Sequence, residues 1–335
     1  MEELMKKSLL PLFTLVLVIM FASGNVLAAQ RWRIAGIAPV DHASTRILKA
    51  AADEINENTD NKFKLKVYPA SQLGDYTLVL NEVAQGAIEL ADISITPQLD
   101  KRLGIVYMPG LAPTYDDIDR VYAKGSHFYD LYETILAEHN VKLLGLDVQG
   151  FAGVGMVKEP KSPKDIDVSK DAMIRVPPIE TWKIVAEALN YKTVTIQWGD
   201  LYPAMQTGVC DGWIAGTPSW NYIAFKDLLN YYIPYNTTVD STAYIMSMDK
   251  WNELTPEEKE IFQAAFTRAA AASRENARNE DAGYIEKMEE SGIEIIRLTD
   301  EDTRLIARKV KEKVWPDLTR MLGQEVMDKL DKDLQ

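Results

Sequence analysis

Arg175 is the residue whose surroundings most clearly suggest chemistry. It stands in Ala172-Met173-Ile174-Arg175-Val176, a run otherwise apolar enough for a buried strand, and Pro177-Pro178 force an extended exit after it. A guanidinium at a strand end is placed to reach a crevice at the carboxyl edge of a sheet. There its planar fork can meet a carboxylate with two hydrogen bonds. An arginine at such an edge serves equally in a structural ion pair or as a solvated charge, and the local pattern leaves these readings open.

Aromatic residues gather around the same stretch: Trp182, Trp198, Trp213, Trp220 and Tyr222. Any one of them is ordinary core material. Several near one arginine also supply what an apolar pocket with a single charged anchor needs. The segment Gly199 to Trp213 contains turn and helix-stop glycines, with Asp211 as a cap or turn aspartate. Its grammar repeats an earlier stretch, Gln85-Gly86-Ala87-Ile88-Glu89-Leu90-Ala91-Asp92, so two units of the chain share this helix-to-strand element.

Other chemistries find little footing. His42, His127 and His139 are far apart and lack HExxH or Cys-rich spacing, which disfavours zinc. Cys210 is the single cysteine, so no intrachain disulfide can form. Gly74 and Gly86 make no phosphate-cradling pattern, and no G-x-S-x-G elbow exists. Asp116-Asp117 reads as a polar helix start. No catalytic residue, metal or cofactor is expected.

The elements that position these residues alternate. Strands are expected at 31–36, 62–68 and 90–95, with helices at 44–56 and 76–85 between them. This order calls for parallel pairing with helices over the sheet. A mainly helical stretch follows at 116–140, then strands at 141–147 and 151–157. The rhythm repeats with strands at 172–176 and 192–196, helices at 180–189 and 201–207, and a short strand around Trp213-Ile214. Residues 231–239 and 243–248 are expected to be extended. Thr255 then caps a run opened by Pro256-Glu257-Glu258, free of Gly and Pro to Ser291 except for Gly283. A helix of that length spans more than one domain. A last strand at 292–296 leads into a charged helical end. Two α/β units joined by crossing segments imply a cleft between them, a common ligand site.

The first 28 residues read as an export signal: basic Lys6-Lys7, an apolar stretch from Leu9 to Ala22, and a Val26-Leu27-Ala28 cleavage site. Glu2-Glu3 suit such a segment poorly, so Met5 stands beside Met1 as a candidate start of translation. The segment carries equal numbers of acids and lysines, so the net charge of -13 belongs to the mature chain. That charge disfavours nucleic acid and anionic membrane as partners. With no cysteine at the cleavage site, the expected product is a free periplasmic protein.

Three segments resemble the extracytoplasmic solute-binding proteins of TRAP transporters, the DctP type. Tyr68-Pro69-Ala70-Ser71-Gln72-Leu73-Gly74-Asp75 with Gln85-Gly86-Ala87-Ile88-Glu89 is similar to the family's P-x-x-Q-L-G … Q-x-G-x-x-D/E segment. Ile174-Arg175-Val176-Pro177 is similar to its K-I-R-V-P strand. Tyr202-Pro203-Ala204-Met205-Gln206-Thr207-Gly208-Val209-Cys210-Asp211-Gly212 is similar to its Y-x-A-L-Q-x-G-x-x-D-G segment. The resemblance covers nearly the whole mature chain. It implies a periplasmic-binding-protein-like fold of two α/β domains, residues 31–153 with 243–282 and residues 154–242 with 283–335, bridged by strands and one long helix. It also implies that Arg175 pairs with a ligand carboxylate, that the cleft closes on an organic acid, and that a sodium-driven permease of a small and a large membrane subunit receives it.

Two departures bear on the pocket. The family often has Asn-Pro after Asp-Gly, whereas this chain reads Trp213-Ile214-Ala215-Gly216-Thr217-Pro218, leaving Thr217 or Trp213 in that amide's place. The residues after Arg175 also lack the usual small polar types. The expected site is Arg175, Trp213, Thr217, Trp198, Trp182 and Gln72, taking a carboxylate with a hydrophobic or aromatic body, such as a 2-oxo or aromatic acid. An exported small-molecule enzyme and a sensory ligand-presenting protein are the competing readings.

Overall fold

The computed structural model describes residues 29–330. The export segment and the choice between Met1 and Met5 lie outside them. The described strands are β1 (Gln30–Gly36), β2 (Phe63–Tyr68), β3 (Leu90–Ile93), β4 (Val141–Phe151), β5 (Gly153–Met156), β6 (Met173–Val176), β7 (Lys192–Thr195), β8 (Gly212–Gly216), β9 (Tyr231–Ile233), β10 (Val239–Ser247) and β11 (Glu294–Ile295). They form two sheets, ordered β2-β1-β3-β10-β4 and β11-β9-β5-β8-β6-β7. The expected two-unit α/β architecture with a cleft is the observed one.

In the first sheet β1 pairs in parallel with β2 and β3, as the alternating strand and helix order requires. β10 then inserts antiparallel between β3 and β4, so this sheet is mixed. The second sheet has the same mixture, with β6 parallel to β7 and β8 and with β5 antiparallel to β8 and β9. In both sheets the carboxyl ends of the parallel strands point toward the space between the units.

Three segments cross between the sheets. β4 passes into β5 through Ala152, and β9 returns to β10 through residues 234–238. These two crossings bond to each other, Ala152 N–H donating to Thr238 O at 2.9 Å and Asn236 N–H to Ala152 O at 3.2 Å. The third is the helix Pro256–Glu290, 35 residues long. Its start is fixed by a capping box, with Thr255 and Glu258 each bonded to the other's backbone N–H, and by Pro at the first turn. Near its start Phe262 packs edge-on to Trp32 of β1 and Phe63 of β2. Near its end Tyr284 faces Tyr222 of the other unit. Gly283 does not interrupt it.

Local chemistry explains where the expected elements shift. The helical stretch at 116–140 is two helices, Tyr115–Val121 and His127–Ala137. Gly125 adopts a φ of 90°, and the Ser126 hydroxyl restarts the helix by accepting from Tyr129 N–H at 3.0 Å. The strand at 141–147 runs on to Phe151. The extended run at 231–239 stops at Ile233, because Pro234 lacks an N–H and Asn236 has a φ of 52°. A 3-10 helix at Lys101–Tyr107 and α-helices at Pro218–Phe225 and Met248–Glu253 were not anticipated. The helix Asp300–Leu322 buries Ile306, Val310, Val314 and Leu318, every fourth residue and so one face of the helix. It packs on both Glu180–Ala188 and Lys101–Tyr107, so the chain's end braces both units. No helix among the described residues is long and apolar enough to cross a membrane.

Candidate functional site

The parallel strands converge on a cavity of about 40 Å³. Residues at or just past their carboxyl ends line it: Ile37 after β1, Ser94 after β3, Arg175 and Pro177 at β6, Trp198 after β7, and Ala215 in β8. β10 runs the other way, so its opening residues Asp240 and Thr242 reach the same edge, beside Gln149 near the end of β4. Tyr76 joins them as the first residue of the helix Tyr76–Ala84, whose start is held by the Asp75 carboxylate accepting from Thr77 N–H at 2.9 Å.

Arg175 is 2 % exposed. Its Nε donates to Ile196 O at 2.8 Å, and it forms no salt bridge among the described residues. Burial pulls its pKa down from the arginine value, while Tyr76 and more distant groups oppose that. The buried Tyr76 hydroxyl lies against Arg175 but makes no hydrogen bond of full geometry. Burial pushes this phenol up to about 12, with the Arg175 charge working against the rise. A buried cation without a counterion is costly, and an under-satisfied hydroxyl beside it deepens the deficit. An anion with two oxygens satisfies both.

The wall beside Arg175 is aromatic. The guanidinium carbon lies 5.9 Å from the Trp198 ring centre, and Trp198 packs on Trp213 at 5.7 Å and edge-on to Trp220 at 5.0 Å. Trp213 fits because residue 216 is glycine: a Cβ there would collide with the indole ring. Just before it, Ala215 sits in a register shift between β5 and β8 with a φ of 82°. Such a bulge, strained for a non-glycine residue, aims neighbouring side chains into the cavity.

Polar residues share the lining. Gln149 Oε1 accepts from Trp220 Nε1 at 2.5 Å. Its amide nitrogen approaches Ser44 Oγ and Asp147 Oδ2, each at 3.3 Å. The Thr242 hydroxyl donates to Asp92 and lies 3.3 Å from Asp147 Oδ2. Burial raises the pKa of both Asp92 and Asp147, and their mutual contact keeps at least one of them protonated. Asp240 is also buried, and burial first, then the Asp147 charge, pushes it up to about 8.

His42 and Ser219 have the spacing of a base and a nucleophile, with Nε2 3.2 Å from Oγ. The tautomer argues against that use. His42 Nδ1 accepts from Ser44 N–H at 3.2 Å, which puts the ring proton on Nε2. Nε2 then donates to Ser219 and cannot take its proton. Among the described residues, Asp100, Glu138 and His139 bring three possible metal-ligand atoms together. The Arg102 guanidinium already pairs with both acids.

Of the residues expected in the site, Arg175, Trp182, Trp198 and Trp213 line the cavity. Thr217 and Gln72 do not. Thr217 is fully buried at the start of Pro218–Phe225, its hydroxyl 2.9 Å from Ser219 Oγ. Gln72 is exposed in the turn ahead of Tyr76. The Trp213 indole N–H is engaged by Asn221 Oδ1 at 2.9 Å. Tyr76, Gln149, Asp240 and Thr242 escaped the sequence reading; the polar triplet Asp240-Ser241-Thr242 between two extended apolar runs was the signal available for two of them.

The family model described as bacterial extracellular solute-binding protein, family 7, matches residues 34–320. The ectoine-binding periplasmic protein TeaA of Halomonas elongata is 24% identical over 331 residues, covering 95% of this chain and 94% of its own. Two solved TRAP periplasmic solute-binding proteins share the fold. One from Haemophilus influenzae with bound L-gulonate has a TM-score of 0.82 at 20% identity, covering 91% of this chain and 98% of its own. One from Ralstonia eutropha H16 with bound (S)-2-acetolactate has a TM-score of 0.78 at 21% identity, covering 90% and 98%.

Proposed function

The chain belongs to family 7 of the bacterial extracellular solute-binding proteins, and on that premise we propose that it is the periplasmic receptor of a TRAP-type transporter for a small monocarboxylate. The buried, unpaired Arg175 carries this reading. Its guanidinium and the Tyr76 hydroxyl supply convergent donors for one carboxylate. The four tryptophans Trp182, Trp198, Trp213 and Trp220 enclose an apolar body beside it. Relatives that bind L-gulonate and (S)-2-acetolactate support a carboxylate ligand.

The receptor performs no chemistry on its ligand in this reading. Residues 31–153 with 243–282 and residues 154–242 with 283–335 act as the closing units, with the terminal helix bracing both. A permease of small and large membrane subunits receives the ligand. Gln72, exposed at the turn before Tyr76, and Thr217, beneath the tryptophan wall, act on the pocket's frame rather than on the ligand.

Calorimetry with a panel of carboxylic acids tests the reading, using the mature protein and Arg175→Ala. At least one acid should bind the wild type, and the variant should lose a few kcal/mol of affinity for it, about a hundredfold or more. Equal affinity in the two proteins would overturn the anchor assignment.

A further inference from the structure

Arg175 and Asp240 line one small cavity, yet they do not form an ion pair. Behind Asp240 stand two more buried carboxyls, Asp92 and Asp147, joined through Thr242. The ligand assigned above adds another negative charge. One arginine cannot neutralise three acids and a bound anion in so dry a place, so protons must hold most of these acids neutral.

We infer that Asp240 is a protonated donor in the cavity, hydrogen-bonding a second oxygen on the ligand, and so selects acids with an oxygen at the carbon next to the carboxylate. The inference rests on the carboxylate reading of the same site. Asp240 is 8 % exposed and lines the same cavity as Arg175, close enough for the Arg175 charge to act on it. The titratable groups acting around it are Asp147 from β4, Arg175 from β6, Tyr107 from the 3-10 segment, Tyr122 after the helix Tyr115–Val121, and Tyr232 from β9. Arg175 alone among them is a cation, and the ligand carboxylate claims it.

Burial pushes Asp240 up to about 8, against the pull of Ser241 N–H and Arg175. At neutral pH its carboxyl therefore keeps its proton. A neutral carboxyl donates one hydrogen bond that a carboxylate cannot. A 2-oxo or 2-hydroxy oxygen accepts it. An unsubstituted acid leaves it unpaired, and a dicarboxylate brings a second charge with no cation to meet it.

The test uses the mature protein with pyruvate, propanoate and succinate as probes. At pH 7 pyruvate should bind at least about tenfold tighter than propanoate or succinate. Its affinity should fall about tenfold per pH unit above 8 as Asp240 ionises. Asp240→Asn keeps a donor that cannot ionise, so it should retain the preference and bind independently of pH between 6 and about 9.5. Asp240→Ala should lose the preference for pyruvate over propanoate. Independently of any ligand, carboxyl NMR of aspartate-labelled protein should show one resonance, absent from Asp240→Asn, titrating near 8.

A titration midpoint below 6 overturns the inference. So does pyruvate binding that ignores pH in the wild type, or that requires an added metal cation. Failure of all three probes, with an acid that lacks a 2-oxo or 2-hydroxy oxygen bound through Arg175, also overturns it and leaves the receptor reading standing. If no carboxylate binds, the receptor reading fails, and the NMR midpoint alone decides the protonation of Asp240.

Discussion

Trp220 Nε1 donates to Gln149 Oε1 at 2.5 Å, joining the unit that carries Arg175 to the strand that borders the acid cluster. The same Gln149 amide reaches back to Ser44 and Asp147, and His42 packs 4.8 Å from the Trp220 ring. The contact between the units is thus a polar latch laid over an aromatic stack. It closes the cavity without using Arg175.

Trp220→Phe should keep the ring and remove the latch. Small-angle scattering should then show a larger radius of gyration for the ligand-free variant. Affinity for the ligand should fall by about 1 kcal/mol, the worth of one hydrogen bond between neutral groups. Unchanged compactness would mean that the units are held together elsewhere.

Arg175→Met should raise the stability of the ligand-free protein while abolishing binding. The guanidinium is buried with one backbone bond and no counterion, so its desolvation is uncompensated until ligand arrives. A gain of about 1 kcal/mol corresponds to roughly 1–2 °C in a chain of this size. Calorimetry without ligand reads it directly, and a fall of several degrees would show that the Ile196 bond outweighs the desolvation.

Gly216→Ala should displace Trp213, because its added methyl would occupy the space of the indole ring. Overpacking of this kind costs about 1–3 kcal/mol. Tryptophan fluorescence should shift, ligand affinity should drop, and the urea midpoint should fall. A variant with unaltered fluorescence and affinity would show that the ring relocates freely.

Acid should loosen the protein through His42. Burial, and then the Arg46 charge, lower its pKa from 6.5 to about 4. The folded state therefore binds this proton less readily than the unfolded state. The stabilisation is complete above pH 6.5, declines as pH falls, and is fully lost below about 4. The total is about 3 kcal/mol in order of magnitude. Chemical unfolding of the wild type and His42→Asn at pH 7 and pH 4.5 isolates this share, and the variant should lose less stability than the wild type.

Much of this molecule is legible in its residues, and the gaps have a common cause. Alternating patterns gave the strands of both units, and the Thr255-Pro256 start with its uninterrupted run gave the long helix. Arg175 stood out because a charge inside an apolar strand must be bought with a partner. Trp198 and Trp213 stood out by proximity in sequence. Gln149, Asp240 and Thr242 could not, because they enter the site only through the antiparallel insertion of β10 beside β4. Pairing between strands about ninety residues apart leaves no local signature. Thr217 and Gln72 followed from motif position, and folding turns one into the helix start and the other outward.

The helix Pro256–Glu290 also has a mechanical consequence. At 35 residues it is a rod about 52 Å long, anchored against β1 and β2 at one end and against the tryptophan-bearing unit at the other. A swing of one unit against the other must flex this rod, since neither end is free to slide out of its packing. A flexed rod exerts a restoring torque. Any movement of one unit against the other would therefore work against the stiffness of this single helix.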